Sequence, residues 1–497
     1  MSEEAKPAAP RSVREPSLMD GLLPIVGLVV LLGTSYYLFG ESASSGPNQI
    51  ALMFCGVIAT LIGYKNGIAL EDIREAIVAG IGTGLQAMFI LLAVGALIGT
   101  WAMSGTISSM VYYGMKLLNP HYFYATACLI CAVAALSIGS SWTVAGTIGI
   151  GMVGIAQSMG LSPEITAGAV ISGAYFGDKA SPLSDASNLA TAAAGSELFS
   201  HIKESLWTSV PSLLLALVGF TLLGSPESFD TQSALSELEQ KVTVSLWTFL
   251  PLLLVLVLAL CKVPPFVTIF MSALAGGVMA VILTPQAVTT LADNPSLHPA
   301  LQQLKGVWEA LSNGYHISSG DPRVDRLLTR GGMSSMMTTI WLIMTALAFG
   351  AIVERTGLLG RVITPLVNKA KSVTATVMAL VGSCVAANAL TSDQYIAIVL
   401  PARMFRKNFE ERGLAPVMLS RVVNDSATVT SALVPWNSCG AYMSAALGVS
   451  VIGFAPFCFF NLLSPLLTVV FTALGFRVLR SVSGHGSARP PQAGTGG

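Results

Sequence analysis

The chain has 497 residues, 53% of them hydrophobic and only 10% charged, and its formal net charge is zero. Ordinary soluble domains carry roughly 25% charged residues, so this composition excludes a soluble globular protein and indicates an integral membrane protein. A chain without basic surplus has no nucleic-acid footprint, and with no P-loop and no dinucleotide fingerprint neither ATP nor any other cofactor is expected.

In chain order, residues 1–18 are polar and charged and read as a disordered cytoplasmic tail. The apolar run at 21–40 has the roughly 20 residues that a bilayer crossing needs. It lacks a cleavage site, so it is retained. With the run at 49–64 it forms a group of N-terminal transmembrane helices over 19–75. Runs near 76–101, 122–138, 142–160, 163–177 and 206–224 make up a first block, 76–225. Residues 226–333 read as connecting helices (243–262 and 265–284) followed by a long polar loop, 285–333. A second block, 334–480, holds runs near 334–354, 373–390, 394–402, 414–424, 427–447 and 451–476, and 481–497 is a low-complexity tail. Several runs are too short to cross alone. The expected fold is an all-α polytopic membrane protein with about 11–13 transmembrane helices, some of them discontinuous or re-entrant.

Lys and Arg set the orientation. Arg11 and Arg14 lie in the N-terminal tail, the loop at 41–48 has no Lys or Arg, and Lys65 and Arg74 lie in the next loop. The N-terminus is therefore expected in the cytoplasm. The loops at 355–372 and 403–412, with four basic residues each, read as cytoplasmic too. All seven cysteines fall in apolar segments and read as packing residues, Cys128 and Cys131 included. The five histidines fall in loops, tails or span ends, so a histidine relay at membrane depth is not expected.

Four carboxylates are assigned to membrane depth: Asp178, Asp185, Asp393 and Asp425. An ionisable group there costs a few kcal/mol or more, about 3 on insertion scales, and marks a functional site by default. Lys179 beside Asp178, and Arg421 one helical turn before Asp425, are expected to hold those two ionised. Asp185 and Asp393, without a basic neighbour in sequence, are the better candidates for reversible protonation. Pro182 removes a backbone donor and biases Ser181 away from helix, so the helix is expected to open over 180–184. Ser181, Ser184, Ser187 and Asn188 then add hard oxygen, the ligand type of hard cations, and Na⁺ is expected near Asp178, Asp185 and Asn188. In the second half, Asn388 and TSDQ (391–394) interrupt one apolar run and NDSATVTS (424–431) another, making Ser392, Asn424, Thr428 and Asn437 supporting ligands.

The halves are related. LSPEITAGAV (161–170) resembles LAPVMLSRVV (414–423) at an offset of 253 residues, which pairs Pro182 with Pro435, Ser184 with Asn437 and Ser140 with Asp393. By the charge rule the matching spans 76–101 and 334–354 run in opposite directions. That is the expectation for two inverted-topology repeats, an architecture of secondary transporters that bind cargo at broken helices near the midplane.

SGAYFGDKASPLSDASNLA (172–190), GSSWTVAGT (139–147), LTSDQYIAIVLPARMF (390–405) and LSRVVNDSATVTSALVPWNSCGA (419–441) resemble the NhaC family of sodium/proton antiporters over roughly residues 20–475. The resemblance implies the fold of the ion transporter superfamily, with inverted repeats, re-entrant hairpins and a scaffold that often dimerises. It implies a bacterial cytoplasmic membrane, Na⁺ or Li⁺ export driven by inward H⁺, and Asp178, Ser181, Asp185, Asn188, Asp393, Asp425 and Asn437 as motif residues. Asn424 stands where the family often has an acidic residue. A related activity, exchange of small carboxylates such as malate and lactate coupled to Na⁺ and H⁺, is the alternative. It calls for fixed positive charge or helix N-termini aimed at the anion. An intramembrane enzyme is disfavoured, because no Ser/His arrangement accompanies the aspartates.

Overall fold

A computed structural model of the chain describes residues 14–224, 243–317 and 328–481, together with Leu235 and Asp325. The expected disorder of the two tails thus lies largely outside the described residues. The described residues are helical apart from turns and two isolated bridges. Helix starts follow local chemistry. Ser17 and Asp20 form a reciprocal capping box at the first helix, and Pro47, Pro163 and Pro265 occupy first-turn positions where a missing N–H costs nothing.

Among the described residues eight helices are long and apolar enough to cross a bilayer: Leu18–Phe39, Pro47–Lys65, Leu85–Met103, Pro120–Ile138, Leu198–Leu223, Pro265–Leu283, Met333–Arg355 and Val373–Thr391. A ninth span forms if Ser438–Leu447 and Val451–Phe457, bent by 90°, are one crossing. The expected 11–13 counted helices that the Ser, Pro and Asp breaks divide into shorter pieces.

Two segments read as loops are helical. Residues 285–333 contain Pro285–Ala292 and Pro299–Ser312, packed so closely that a Cβ at Gly306 would come within 2.2 Å of the Val288 carbonyl oxygen. The loop at 355–372 folds as Leu358–Lys369, burying Leu358, Leu359 and Ile363 and turning its basic residues outward. Both are short and amphipathic, a pattern that a search for continuous apolar runs passes over.

Helix bounds repeat along the chain. Leu85–Met103 and Thr106–Leu117 match Met337–Arg355 and Leu358–Lys369 at an offset of 252 residues, each pair joined through a left-handed glycine, Gly105 or Gly357. Asp185–Ala194 matches Ser438–Leu447 at 253, and both end on a left-handed glycine, Gly195 or Gly448. The chain around the first matching pair meets head to tail: a Cβ at Gly80 in Leu70–Thr83 would come within 2.5 Å of Ala351, one at Gly84, between Leu70–Thr83 and Leu85–Met103, within 2.1 Å of Leu347, and one at Gly95 within 2.4 Å of Gly332, just ahead of the second helix. Rising residue numbers on one side meet falling numbers on the other, so the two segments run antiparallel.

Phe123–Ile138 and Pro163–Ala180 carry the tightest packing near the first break. A Cβ at Gly173 would lie 2.0 Å from the Cys128 carbonyl oxygen, and one at Gly177 2.4 Å from that of Ala132. Gly173→Ala is therefore expected to lower the thermal midpoint by the equivalent of ~1–3 kcal/mol of overpacking. Gly33→Ala, with nothing within 4 Å, leaves it unchanged. Thermal unfolding of the two variants in one detergent checks the contrast.

Candidate functional site

The helix Pro163–Ala180 stops where Pro182 dictates, and the chain restarts at Asp185 behind the N-cap Ser184. Its counterpart breaks at Val434–Asn437 and restarts at Ser438 behind the N-cap Asn437. Each half has a second interruption. Gly139 and Ser392, both left-handed, precede the N-caps Ser140 and Asp393, whose side-chain oxygens accept from Thr143 N at 3.2 Å and Ile396 N at 2.8 Å. Four helices therefore begin at Ser141, Asp185, Gln394 and Ser438. All four residues line one cavity of about 290 Å³. Helix N-termini carry partial positive charge, so this cavity favours negative groups and polar cargo.

Three of the four aspartates line it. Asp178, 8% exposed, accepts through Oδ2 from Ser141 Oγ at 2.7 Å and Ser141 N at 3.1 Å. Asp393, 4% exposed, is the N-cap just described. Asp185 is exposed rather than buried, and its accessible surface faces the cavity from the first turn of its helix. Ser140, Thr143, Gln394 and Ser438 add oxygen, and Lys262, left-handed at φ 61°, contributes to the wall. Gln394 is held by Ser431 Oγ at 3.0 Å and Cys439 Sγ at 2.8 Å, both donating to its Oε1. Trp142, also on the wall, stacks on Tyr442 of the other half, with ring centroids 4.1 Å apart.

Asp425 is elsewhere. It sits wholly buried in the π-helical turn Asn424–Thr428, away from the cavity lining, so the four carboxylates do not form one cage. That turn keeps 424–431 helical, so this polar run interrupts the apolar pattern without opening the helix. Lys179 does not pair with Asp178, its neighbour in sequence. Consecutive helical residues point about 100° apart, and Lys179 reaches across the halves to Asp425 Oδ1. Thr208 Oγ1 donates to the same oxygen at 3.0 Å, Thr468 Oγ1 donates to Oδ2, and Lys179 also donates to Ser464 Oγ at 3.1 Å. Arg421, the expected partner, is completely buried with Nε 4.0 Å from Asp425 Oδ2, and among the described residues its guanidinium donates no hydrogen bond.

The expected supporting ligands do not line the cavity either. Most of their polar atoms bond to neighbouring backbone or side chains, although Ser184 also bonds the Asp178 carboxylate. Ser181 accepts from Leu183 N, Ser184 from Ser187 N, and Ser187 donates to the Lys179 carbonyl. Asn188 donates to the carbonyls of Pro182 and Ser184. Asn437 donates to Asn388, which donates onward to Ala427 O and Thr430. Thr428 donates to Asn424, while Ser392 is buried with its hydroxyl unpartnered and its carbonyl bonded to Ser438 N. Pro182 and Pro435 lie within the two breaks.

Sequence reasoning missed Ser141, Gln394 and Ser438, although the Ser140–Asp393 pairing at 253 already pointed to the first two as opening residues of matched helices. It also set aside His201. This histidine is wholly buried four residues into Leu198–Leu223, bonding through Nδ1 with Ser420 Oγ at 2.9 Å and accepting at Nε2 from Asn424 Nδ2 at 3.0 Å. The apolar run only becomes continuous at 206, so His201 looked like a span end.

The sequence profile of the Na⁺/H⁺ antiporter family matches residues 173–476. The Na⁺/H⁺ antiporter NhaC of Alkalihalophilus pseudofirmus is 35% identical over 434 residues, covering 86% of this chain and 91% of that protein. A malate-2H⁺/Na⁺-lactate antiporter of Bacillus subtilis is 30% identical, covering 94% of this chain and 96% of its own. An arginine/ornithine antiporter of Halobacterium salinarum is 33% identical, covering 94% and 93%.

Proposed function

The chain belongs to the Na⁺/H⁺ antiporter family, and we propose that it exports Na⁺ in exchange for protons as a secondary active antiporter working by alternating access. The observation that carries this reading is the convergence of Asp178, Asp185 and Asp393 on one cavity at four broken helix ends. Carboxylate, hydroxyl and amide oxygens are hard ligands suited to Na⁺, and a carboxylate in such a site holds either a cation or a proton. These three residues are the cargo-binding set. Asp425, with Lys179, Arg421 and the threonines around it, supports the site by tying the halves together. The repeated helix bounds and the antiparallel contact of 80–95 with 332–351 support two inverted repeats over 76–225 and 334–480, and the Lys and Arg distribution supports an N-terminus in the cytoplasm.

The test is dye quenching in everted vesicles at pH 6.5–9.5. NaCl is expected to dissipate an imposed proton gradient only when the intact chain is present. Identical traces with and without the protein for NaCl, LiCl and KCl would reject the reading.

A second reading, exchange of a small carboxylate coupled to Na⁺ and H⁺, has its own support: four helix N-termini and Lys262 border a cavity far larger than a bare sodium ion. The identity to a malate and lactate exchanger adds weight. Counterflow of labelled malate into proteoliposomes tests it. Uptake above protein-free liposomes is the expected result, and its absence leaves the cation reading alone.

A further inference from the structure

Asp425 is one carboxylate between two buried cations. Lys179 approaches it from Pro163–Ala180 in the first half, whereas Arg421 belongs to Asp425's own segment, four residues earlier. Nearby stand polar partners from two further segments: Thr208 and His201 on Leu198–Leu223, and Thr468 and Ser464 on Phe459–Ala473. Arg477 and Glu204, 3.5 Å apart, form a separate pair beside them. Among the described residues, only Lys179 holds Asp425 by a charged hydrogen bond, and Arg421 is fully buried with Nε, Nη1 and Nη2 all without a hydrogen-bond partner.

A buried guanidinium that donates nothing is expensive in any static structure: Asp425, 4.0 Å away, offsets part of its charge, but none of its N–H donors is satisfied. It makes sense when a second arrangement satisfies it. Under alternating access the halves must move relative to each other, and the Lys179–Asp425 bridge spans them. Breaking that bridge alone would strand a carboxylate at membrane depth. The segment itself can adjust, since Asp425 lies in a π-helical turn, a geometry with a looser register than the α-helix.

We propose that Arg421 is a positioning residue that receives Asp425 from Lys179 when the halves separate, so that the carboxylate is paired in both states of the transport cycle. The proposal rests on the antiport reading for the existence of that cycle. Arg421 lowers the cost of the crossing without touching cargo. The guanidinium is the suited group, since it stays charged and offers a bidentate fork to a carboxylate.

The experiment is cation-driven proton movement in proteoliposomes for Arg421→Gln and Arg421→Lys, with thermal midpoints measured on the same preparations. For Arg421→Gln the maximal rate is expected to fall tenfold or more while the half-saturating Na⁺ concentration stays within twofold. Its thermal midpoint is expected to hold or rise, because the state described here loses an unsatisfied charge. Arg421→Lys, which keeps the cation, is expected to recover part of the rate. A rate within twofold of wild type for Arg421→Gln overturns the proposal. So does a loss of rate with a lowered midpoint or failure to fold, which marks a structural role, or a shift in half-saturation, which marks a cargo ligand. A wild-type chain that moves no cation and no proton rejects the antiport reading itself, a result read before any variant is compared.

Discussion

Asp178→Asn is expected to cut Na⁺-driven proton movement about 100-fold, the loss that follows from removing ~3 kcal/mol of charged interaction from a buried site. Asp178 presents an almost fully buried carboxylate to the cavity and is aimed by two bonds from Ser141. The amide keeps the size and one acceptor but loses the charge that a bound cation needs. Asp393→Asn should act similarly, since the same carboxylate caps its helix and lines the same wall. Asn188→Ala is the informative contrast. Asn188 belongs to the same motif, residues 172–190, yet its amide only closes the break beside it. Its loss should cost no more than about 1 kcal/mol of stability and leave transport within threefold of wild type. Initial rates at saturating Na⁺, normalised to reconstituted protein, give the ranking. Equal losses for Asn188→Ala and Asp178→Asn would show that the motif acts as one ligand set, and the cavity assignment would fall.

The second large effect concerns stability. Asp425→Leu leaves Lys179 and Arg421 buried against each other with no counter-charge, and is expected to cost about 3–5 kcal/mol, enough to prevent recovery of folded protein at moderate temperature. Lys179→Met combined with Asp425→Leu removes the bridge as a pair and should regain part of that loss, because replacing a buried ion pair with apolar groups of similar volume is often neutral, while Arg421 stays buried without the carboxylate 4.0 Å from it. Fluorescence-detected melting of the single and double variants measures the difference. Additive destabilisation in the double variant would mean that the two side chains do not interact. The double variant separates structure from transport as well. It is expected to fold yet turn over slowly, since the fastening between the halves is gone.

Much of the fold could be read from residue patterns alone. Proline at 182 marked the first break to the residue, and the offset of 253 carried it correctly to 434–437. Short amphipathic helices such as Thr106–Leu117 and Leu358–Lys369 were lost because they lack a continuous apolar run. The site was harder. Its residue types were visible, but not which oxygens were already spoken for. Serines and asparagines in a break look like free ligands in a sequence, whereas in the folded chain they satisfy the N–H and carbonyl groups that the break exposes. Lys179 shows the same limit from another direction. Adjacency in sequence suggested Asp178 as its partner, yet a helix sends neighbouring side chains to different places, and its true partner lies 246 residues away.

That divergence has a consequence for leakage. An exchanger wastes the gradient that drives it if it swings over with nothing aboard. On the antiport reading, Asp178, the proposed cargo ligand, and Lys179, which bridges the halves to Asp425, are joined by a single peptide unit, in the last turn of Pro163–Ala180. That turn cannot tilt to accommodate a passenger without tugging on the latch. On that proposal, filling the compartment and releasing the catch would be one mechanical act, which would discourage idle strokes.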